Sequence, residues 1–203
     1  MTRQNLENIM FAARLEIAMQ QKGYSYFKKG DYNLNIVGIR SNQGQKVTNK
    51  FDDFLVVTYN VKGVQQKKVY AITTDPGLYY MNTPCNKNGT AILVPGQYRA
   101  CWQIGKHNGK YTALVQRKAV SVFRDGNKDN RYDYHNIDTG MFGINIHRSN
   151  PYSTSTKIDN WSAGCQVFAN AQDFAEFMKL CEEQRKLYGN TFTYTLLEEK
   201  DIF

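Results

Sequence analysis

The most informative stretch of this chain is Gly143-Ile-Asn-Ile-His-Arg148, which is followed after a polar loop by Trp161-Ser-Ala-Gly-Cys-Gln-Val-Phe168. Its first part alternates apolar and polar residues, as a strand does, and contains His147 near its end. Its second part carries Cys165 directly after Gly164, 18 positions beyond the histidine. The thiolate is the reactive form of cysteine, and a neighbouring imidazole is the usual means of lowering a thiol pKa. The pattern therefore predicts a catalytic cysteine–histidine pair.

The order of the two residues narrows the class of enzyme. His147 precedes Cys165, and no histidine follows the cysteine. Papain-like peptidases need their histidine after the cysteine, so they are excluded. Caspase-like and sortase-like enzymes place the histidine first, but the caspase signature is absent around Cys165 and sortases space the pair more widely. The glycine before Cys165 allows a tight turn whose N–H groups can face a developing oxyanion.

The stretch resembles the catalytic motif of the L,D-transpeptidase (YkuD-like) family, in which a histidine is followed, after a loop, by Ser/Thr-x-Gly-Cys. The resemblance covers residues 140–168. It implies that Cys165 is the acyl-accepting nucleophile and that His147 is its base. It also implies that Ser162 is the small hydroxyl residue of the motif and that Gly164 is part of the oxyanion turn.

The chain departs from the family pattern on both sides of the pair. Arg148 stands where the family usually has glycine, and the arginine or asparagine that usually follows the cysteine is missing. A cation at Arg148 can hold a carboxylate of a peptidoglycan stem peptide, whereas no residue is clearly placed to orient an amine acceptor. The predicted substrate-binding residues are Arg148, Trp161, Asn145 and Gln166.

The sequence predicts a mostly β (α+β) protein with a helix near each end. Residues 1–30 form an N-terminal helix and lead-in, and residues 31–203 form a single L,D-transpeptidase-like catalytic domain. The resemblance implies a β-sandwich-like core in which the histidine and the cysteine face a shared groove. A C-terminal helix and a final strand follow the catalytic stretch.

The helices are predicted from apolar residues at three- and four-residue steps. The first covers residues 5–22, and its apolar face includes Leu6, Ile9, Ala13 and Ile17. The second is capped by Asn170 and runs to Tyr188, and its apolar face includes Phe174, Phe177, Cys181 and Leu187. Between them, Asn108-Gly109 predicts a tight hairpin. We expect His107 to be exposed at its tip and Trp102 to lie in the core.

A second motif lies between residues 125 and 133. Its oxygen-bearing side chains mimic positions 1, 3, 5 and 9 of a calcium-binding loop, and they belong to Asp125, Asn127, Asp129 and Asp133. Asn130 replaces the usual glycine and can adopt a left-handed conformation. The bidentate glutamate at position 12 is missing and neither flank predicts a helix, so a full EF-hand is excluded. A structural calcium is one interpretation and a plain polar turn is the other; no cofactor is expected to be required.

The chain has 203 residues and a formal net charge of +8, with the positive excess in residues 1–150. A basic surface favours an anionic polymer such as a cell wall, but a plain solvated surface is the preferred interpretation of the charge. Basic residues cluster only in pairs, so we do not expect nucleic-acid binding. The four cysteines lack C-x-x-C spacing; a Cys85–Cys101 disulfide is left open, and reduced thiols are the simpler expectation.

The N-terminal residues lack the features of a signal peptide, and no apolar run reaches membrane-spanning length. We therefore expect a protein that is made in the cytoplasm and acts on the cell wall after lysis, or as part of a phage particle. The predicted function is cysteine-dependent acyl transfer or hydrolysis on peptidoglycan stem peptides, with net wall cleavage favoured. The alternative is a virion or cell-surface structural protein that keeps the fold with a dormant catalytic pair.

Overall fold

The computed structural model describes residues 3–41 and 44–203, with the backbone alone for residues 3–10. Strands predominate, so the predicted mostly β class with a helix near each end is confirmed. The helices are α1 (Arg3–Gln21), α2 (Leu78–Asn82) and α3 (Ala171–Tyr188). The strands are β1 (Asn35–Arg40), β2 (Asp53–Val61), β3 (Val64–Thr73), β4 (Thr90–Leu93), β5 (Gly96–His107), β6 (Tyr111–Gln116), β7 (Val120–Asp125), β8 (Ile137–Gly140), β9 (Ile146–Arg148), β10 (Gln166–Phe168) and β11 (Phe192–Glu198).

Eight strands close into a barrel in the order β1-β11-β5-β6-β9-β10-β3-β2, and β4, β7 and β8 form a separate three-stranded sheet. The specific β-sandwich core implied by the family resemblance is therefore not found, because the main sheet closes on itself. Closure depends on β11, which pairs in parallel with β1 on one side and antiparallel with β5 on the other. Which distant strands pair is not encoded in the local alternation of a strand, so the sequence pattern did not reveal this closure.

A single apolar cluster fills the barrel and extends beyond it. Trp102 is fully buried, as predicted, and its Nε1–H donates to the carbonyl oxygen of Ile144 at 2.8 Å. The cluster also includes Ala91 of β4 and Val122 of β7, so the three-stranded sheet packs on the barrel. Fully burying a large apolar side chain contributes roughly 1.5–3 kcal/mol, which makes this cluster the main source of stability.

The helix α1 is confirmed, but its buried face matches the predicted one only in part: Ala18, which the same pattern places on the apolar face, is buried as expected, whereas Ala13 is exposed. Leu15, Ala18 and Met19 pack in a second cluster against β1 and β2, whereas the side chain of Ile17 is 52% exposed. The side chains of Leu6 and Ile9 lie outside the described residues. A pattern with three- and four-residue steps fits two neighbouring faces of one helix, and only the sheet beneath it decides between them.

The helix α3 follows its predicted bounds. Asn170 caps it, since its side-chain oxygen accepts from the N–H groups of Gln172 and Asp173 at 2.7 and 3.2 Å. Its Phe174, Phe177 and Cys181 are buried as expected. Leu187 is exposed, so that part of the predicted face is wrong. In the described part of the chain, no helix has the length and apolar character needed to cross a membrane.

Candidate active site

The predicted catalytic pair lies at two adjacent parallel strands of the barrel wall, with His147 within β9 and Cys165 directly before β10. His147 of β9 is the register partner of Val167 of β10, and Cys165 comes two residues before Val167. Side chains two residues apart point to the same face of a strand, so Cys165 and His147 share one face. The backbone N–H of Gln166 donates to the carbonyl oxygen of Asn145 at 2.9 Å, which extends the pairing to the residues flanking the thiol.

Cys165 and His147 open onto one cavity of about 470 Å³. Aromatic side chains form much of its wall, namely Tyr80, Tyr111, Phe142 and Trp161. Among the described residues that line it, two are permanent cations, Lys110 and Arg148, and none has a carboxylate side chain. The predicted substrate-binding residues Arg148 and Trp161 therefore do line the cavity.

His147 is 3% exposed, and its ring is held by its Nδ1 atom. Nδ1 lies 2.9 Å from the carbonyl oxygen of Arg148 and 3.1 Å from the hydroxyl oxygen of Tyr111. The Tyr111 hydroxyl donates to the same carbonyl at 3.1 Å. Because a carbonyl oxygen only accepts, Nδ1 must carry the proton. This tautomer leaves Nε2 unprotonated, as a general base requires.

The surroundings of His147 keep its ring neutral. Burial first, and then the charges of His107 and Arg148, together lower the pKa of His147 to about 3, against the opposing hydrogen bond to the Arg148 carbonyl. Desolvation penalises the imidazolium, so the ring holds no proton at Nε2 near neutral pH. Any proton that it accepts during a reaction is therefore held only transiently.

The thiol of Cys165 contacts the backbone of the segment that precedes β9. Its Sγ lies 3.4 Å from the carbonyl oxygen of Gly143 and 3.4 Å from the backbone nitrogen of Asn145. Within the described residues, no hydrogen bond joins Sγ to an imidazole. Burial raises the pKa of Cys165 to about 11, and the Asn145 N–H offsets this only in part. The expectation that the histidine lowers the thiol pKa is therefore wrong for this resting structure, in which both groups are neutral.

The turn before the cysteine is held by Ser162. Its buried hydroxyl donates to the carbonyl oxygen of Cys165 at 2.8 Å and accepts from the N–H of Gly164 at 3.1 Å. The N–H of Gly164 is thus used within the turn. Among the described residues, no acceptor bonds the backbone N–H of Ala163 or of Cys165, so these two donors beside the thiol remain unpaired.

Gly164 is required by its conformation and by its neighbours. Its φ is +119°, and a Cβ built there would lie 2.4 Å from the carbonyl oxygen of Ala91 on β4. A side chain would therefore clash with backbone that cannot move independently. The turn is fixed against the three-stranded sheet as well as against the barrel.

Two of the predicted substrate-binding residues face away from the cavity or are committed elsewhere. Gln166 is fully buried, and its side-chain oxygen accepts from the hydroxyl of Tyr194 at 2.6 Å inside the barrel. The side-chain oxygen of Asn145 accepts from the backbone N–H of Gln116 at 2.9 Å, and its amide nitrogen lies 3.0 Å from Nδ1 of His107. Asn145 therefore organises the site without lining the cavity.

His107 was not among the predicted site residues. It is half-buried instead of exposed, and its ring stacks on that of His147 with centroids 3.9 Å apart and an angle of 20° between the planes. The Asn-Gly pair correctly placed His107 beside a hairpin turn, as the register partner of Tyr111. The position of His147 against this hairpin depends on the pairing of β6 with β9, and a local sequence pattern does not encode that pairing.

The oxygens of the predicted calcium loop bond mainly within the loop. Asp125 accepts from the backbone N–H of Asp133, and Asp129 accepts from that of Arg131, both at 2.9 Å. Asn127 donates to the carboxylate of Asp133 at 2.9 Å. Asn130 has a φ of +61°, so its expected left-handed conformation is confirmed. No cluster of three or more metal-binding side chains was found in the described part of the chain, and calcium binding stays a prediction.

Comparison with known proteins found no matching family model, no matching curated protein and no matching solved structure. The chemistry that the site can support therefore follows from its geometry alone. That geometry combines a neutral thiol, a neutral imidazole of fixed tautomer, two available backbone donors and a cationic cavity.

Proposed function

We propose that this chain is a cysteine-dependent acyltransferase or peptidase of the L,D-transpeptidase type, acting on peptide stems of peptidoglycan. The observation that carries the proposal is the convergence of Cys165 and His147 on one cavity, with the histidine in the tautomer of a general base. The motif His147…Ser162-x-Gly164-Cys165 supports the same assignment.

The mechanism follows from the protonation states. Nε2 of His147 takes the thiol proton as Sγ of Cys165 attacks an amide carbonyl, because the resting thiol is neutral. The N–H groups of Ala163 and Cys165 hold the oxyanion of the tetrahedral intermediate. The C–N bond then breaks, the amine leaves with the proton from His147, and a thioester remains on Cys165. Water or a second amine releases the acyl group and returns the proton to sulfur.

The cavity favours an acyl donor that carries a free carboxylate. Lys110 and Arg148 are its permanent cations, and the guanidinium carbon of Arg148 lies 4.2 Å from the ring centroid of Tyr111, which holds that charge at the wall. Stem peptides of peptidoglycan carry such carboxylates, and the aromatic walls suit the apolar part of a peptide.

The same charges favour cleavage over transfer. A transferase must hold an amine acceptor opposite the thioester and keep water away. An ammonium group is repelled by Lys110 and Arg148, and no carboxylate among the described lining residues is present to attract it. We therefore propose net wall cleavage, by a protein that reaches the wall after lysis or as part of a phage particle.

A second candidate function is a virion or cell-surface structural protein with a dormant pair. The observation that favours it is the raised pKa of Cys165, about 11, together with the lack of a thiol–imidazole hydrogen bond among the described residues. In that case, the cavity would be a remnant of the fold and no acyl-enzyme would form.

One experiment separates these functions. Purified sacculi and muropeptides are incubated with the protein and a labelled D-amino acid, and the products are analysed by mass spectrometry with Cys165→Ala as the control. We expect shortened stem peptides that depend on Cys165 and a trappable thioester. Incorporation of label without shortened peptides would show a transferase. Products identical to those of Cys165→Ala would support the structural protein.

A further inference from the structure

We infer that His107 positions the catalytic imidazole of His147 and that, in its neutral form, it stabilises the positive charge that His147 acquires during acyl transfer. The inference rests on the proposed function for its chemistry. It assigns a role to a residue outside the Cys–His motif, and it makes protonation of His107 a means of switching the base off.

The stacked ring restrains His147 from a direction that no hydrogen bond covers. Nδ1 of His147 is fixed in the ring plane by the Arg148 carbonyl and the Tyr111 hydroxyl. His107 covers one face of the ring at a centroid distance of 3.9 Å. In-plane hydrogen bonds and a face contact together leave the imidazole little freedom to rotate. Alignment of the base contributes a large part of the rate acceleration of a proton-transfer step.

Asn145 sets the protonation state of His107. Since the side-chain oxygen of Asn145 accepts from the N–H of Gln116, its amide nitrogen is the atom that faces Nδ1 of His107, at 3.0 Å. An amide nitrogen only donates, so Nδ1 of His107 must accept, and the proton of the neutral ring lies on Nε2. The side-chain amide of the exposed Asn108 lies 3.2 Å from Nε2, and it accepts this proton when its oxygen is turned towards the ring. Protonation at Nδ1 would place two donors against each other and break this bond. The contact therefore favours neutral His107.

The charges around His107 act in the same direction. The groups that face it are the cations Lys110 and Arg148, the ring of His147, the phenol of Tyr111 and the thiol of Cys165 across the cavity. Burial, followed by Arg148 and Lys110, lowers the pKa of His107 below its ordinary value. Within the described lining of the cavity, no carboxylate offsets these cations.

Neutral and protonated His107 have opposite effects on the reaction. When Nε2 of His147 takes the thiol proton, an imidazolium faces the ring of His107, and a neutral aromatic ring attracts a cation on its face. A protonated His107 would instead repel it across 3.9 Å. Because the pKa of His147 itself is only about 3, the loss of reactivity in weakly acidic solution is expected to follow His107.

The test measures alkylation of Cys165 by iodoacetamide as a function of pH, with peptide mass spectrometry to separate Cys165 from the exposed Cys85. When a base assists the alkylation of a neutral thiol, the rate does not change with pH over a plateau. The plateau ends on its acid side, at the acid edge, where protonation stops the base from acting. His107→Phe keeps an aromatic face but cannot titrate. His107→Ala removes the face. The control is His135→Phe, because the side chain of His135 is 62% exposed and lies outside the cavity.

In His107→Phe, we expect the acid edge of the plateau to move by at least one pH unit towards pH 3, while His135→Phe keeps the wild-type edge. His107→Ala is expected to lower the plateau about tenfold. A His107→Phe profile that superimposes on the wild-type profile would overturn the inference. If that variant does not fold, nitrogen NMR of the wild type replaces it: the Nε2 resonance of His147 must shift as His107 titrates, and an unchanged resonance contradicts the inference.

Turnover of sacculi, measured in parallel, separates this inference from the proposed function. A moved acid edge without any turnover contradicts the peptidoglycan assignment alone. Turnover that depends on Cys165, with an unmoved edge in His107→Phe, contradicts the role of His107 alone.

Discussion

Asn145 donates its backbone N–H to the sulfur of Cys165 at 3.4 Å, while its side-chain amide holds His107. One residue of the segment before β9 thus contacts the thiol through its main chain and the stacked ring through its side chain. The contact with the thiol depends on the parallel alignment of β9 and β10, which puts residues 145 and 165 side by side, and the contact with His107 depends on the pairing of β6 with β9. The predictions below test the consequences of this arrangement.

The pH dependence of Cys165 labelling should reveal base assistance. Because burial raises the thiol pKa to about 11, we expect a flat rate around neutral pH, from thiol assisted by His147, and a rise towards pH 11 as the thiolate forms. In His147→Gln, the flat region should disappear, and the labelling rate should decrease tenfold for each unit by which the pH is lowered. Labelling kinetics followed by mass spectrometry check this. A flat region that survives in His147→Gln would show that the base is another group.

The stability of the protein should fall as pH falls through the range in which His147 resists protonation. The folded-state pKa is about 3 and the ordinary value is 6.5, so between these pH values the unfolded chain binds a proton that the folded chain does not. The contribution of neutral His147 to stability is therefore complete above about pH 6.5 and decreases towards pH 3, by a few kcal/mol in order of magnitude. Urea unfolding of the wild type and of His147→Gln at several pH values measures the difference. Parallel pH dependences would contradict this assignment.

Gly164→Ala should be far more damaging than the same change at another left-handed glycine. A Cβ at Gly164 meets the Ala91 carbonyl oxygen at 2.4 Å, whereas at Gly109, with a φ of +71°, it meets nothing within 4 Å. We expect Gly109→Ala to cost about 1 kcal/mol through conformation alone. Gly164→Ala should cost several times more and abolish turnover. Thermal unfolding of both variants provides the comparison, and equal losses would mean that the turn adapts.

Ser162→Ala should weaken the turn without touching the reacting atoms. It leaves the Cys165 carbonyl and the Gly164 N–H without their hydroxyl partner, which costs about 1–3 kcal/mol for buried groups. Turnover should fall because the backbone donors near the thiol lose their alignment. Ser121→Ala is the matched control. It removes a 2.9 Å hydrogen bond to the Thr139 hydroxyl, outside the cavity, and it should lower the free energy of unfolding much less. Chemical denaturation and sacculus turnover are the measurements.

Calcium, if it binds between Asp125 and Asp133, should raise the thermal midpoint, because a ligand of the folded state stabilises that state. One observation is compatible with a cation there: Oδ1 of Asp125 is buried and has no hydrogen-bond partner in the described structure. Asp129→Ala should remove the stabilisation. Calorimetry with millimolar calcium tests this, and the absence of binding heat would identify the loop as a plain turn.

Features set by neighbouring residues in the chain were predictable, and those set by distant pairing were not. The cap at Asn170 and the left-handed Asn130 follow from side-chain and backbone chemistry within a few positions. The His–Cys motif likewise predicted the two residues that share the cavity. By contrast, the stacking of His107 on His147 depends on how β6 meets β9. The interior position of Gln166 depends on Tyr194, a residue of the last strand.

The same Tyr194–Gln166 bond links the strand that follows Cys165 to the last strand of the barrel to be synthesised. The ribosome makes β9 and β10 before β11, so a nascent chain carries His147 and Cys165 while the gap between β1 and β5 is still open. Until β11 arrives, Gln166 lacks the 2.6 Å bond from Tyr194, and the strand that follows the cysteine is not anchored to the barrel interior. If Cys165 is the nucleophile that we propose, an unfinished chain holds it without this anchor, and the proposed activity is expected only after translation of the final strand.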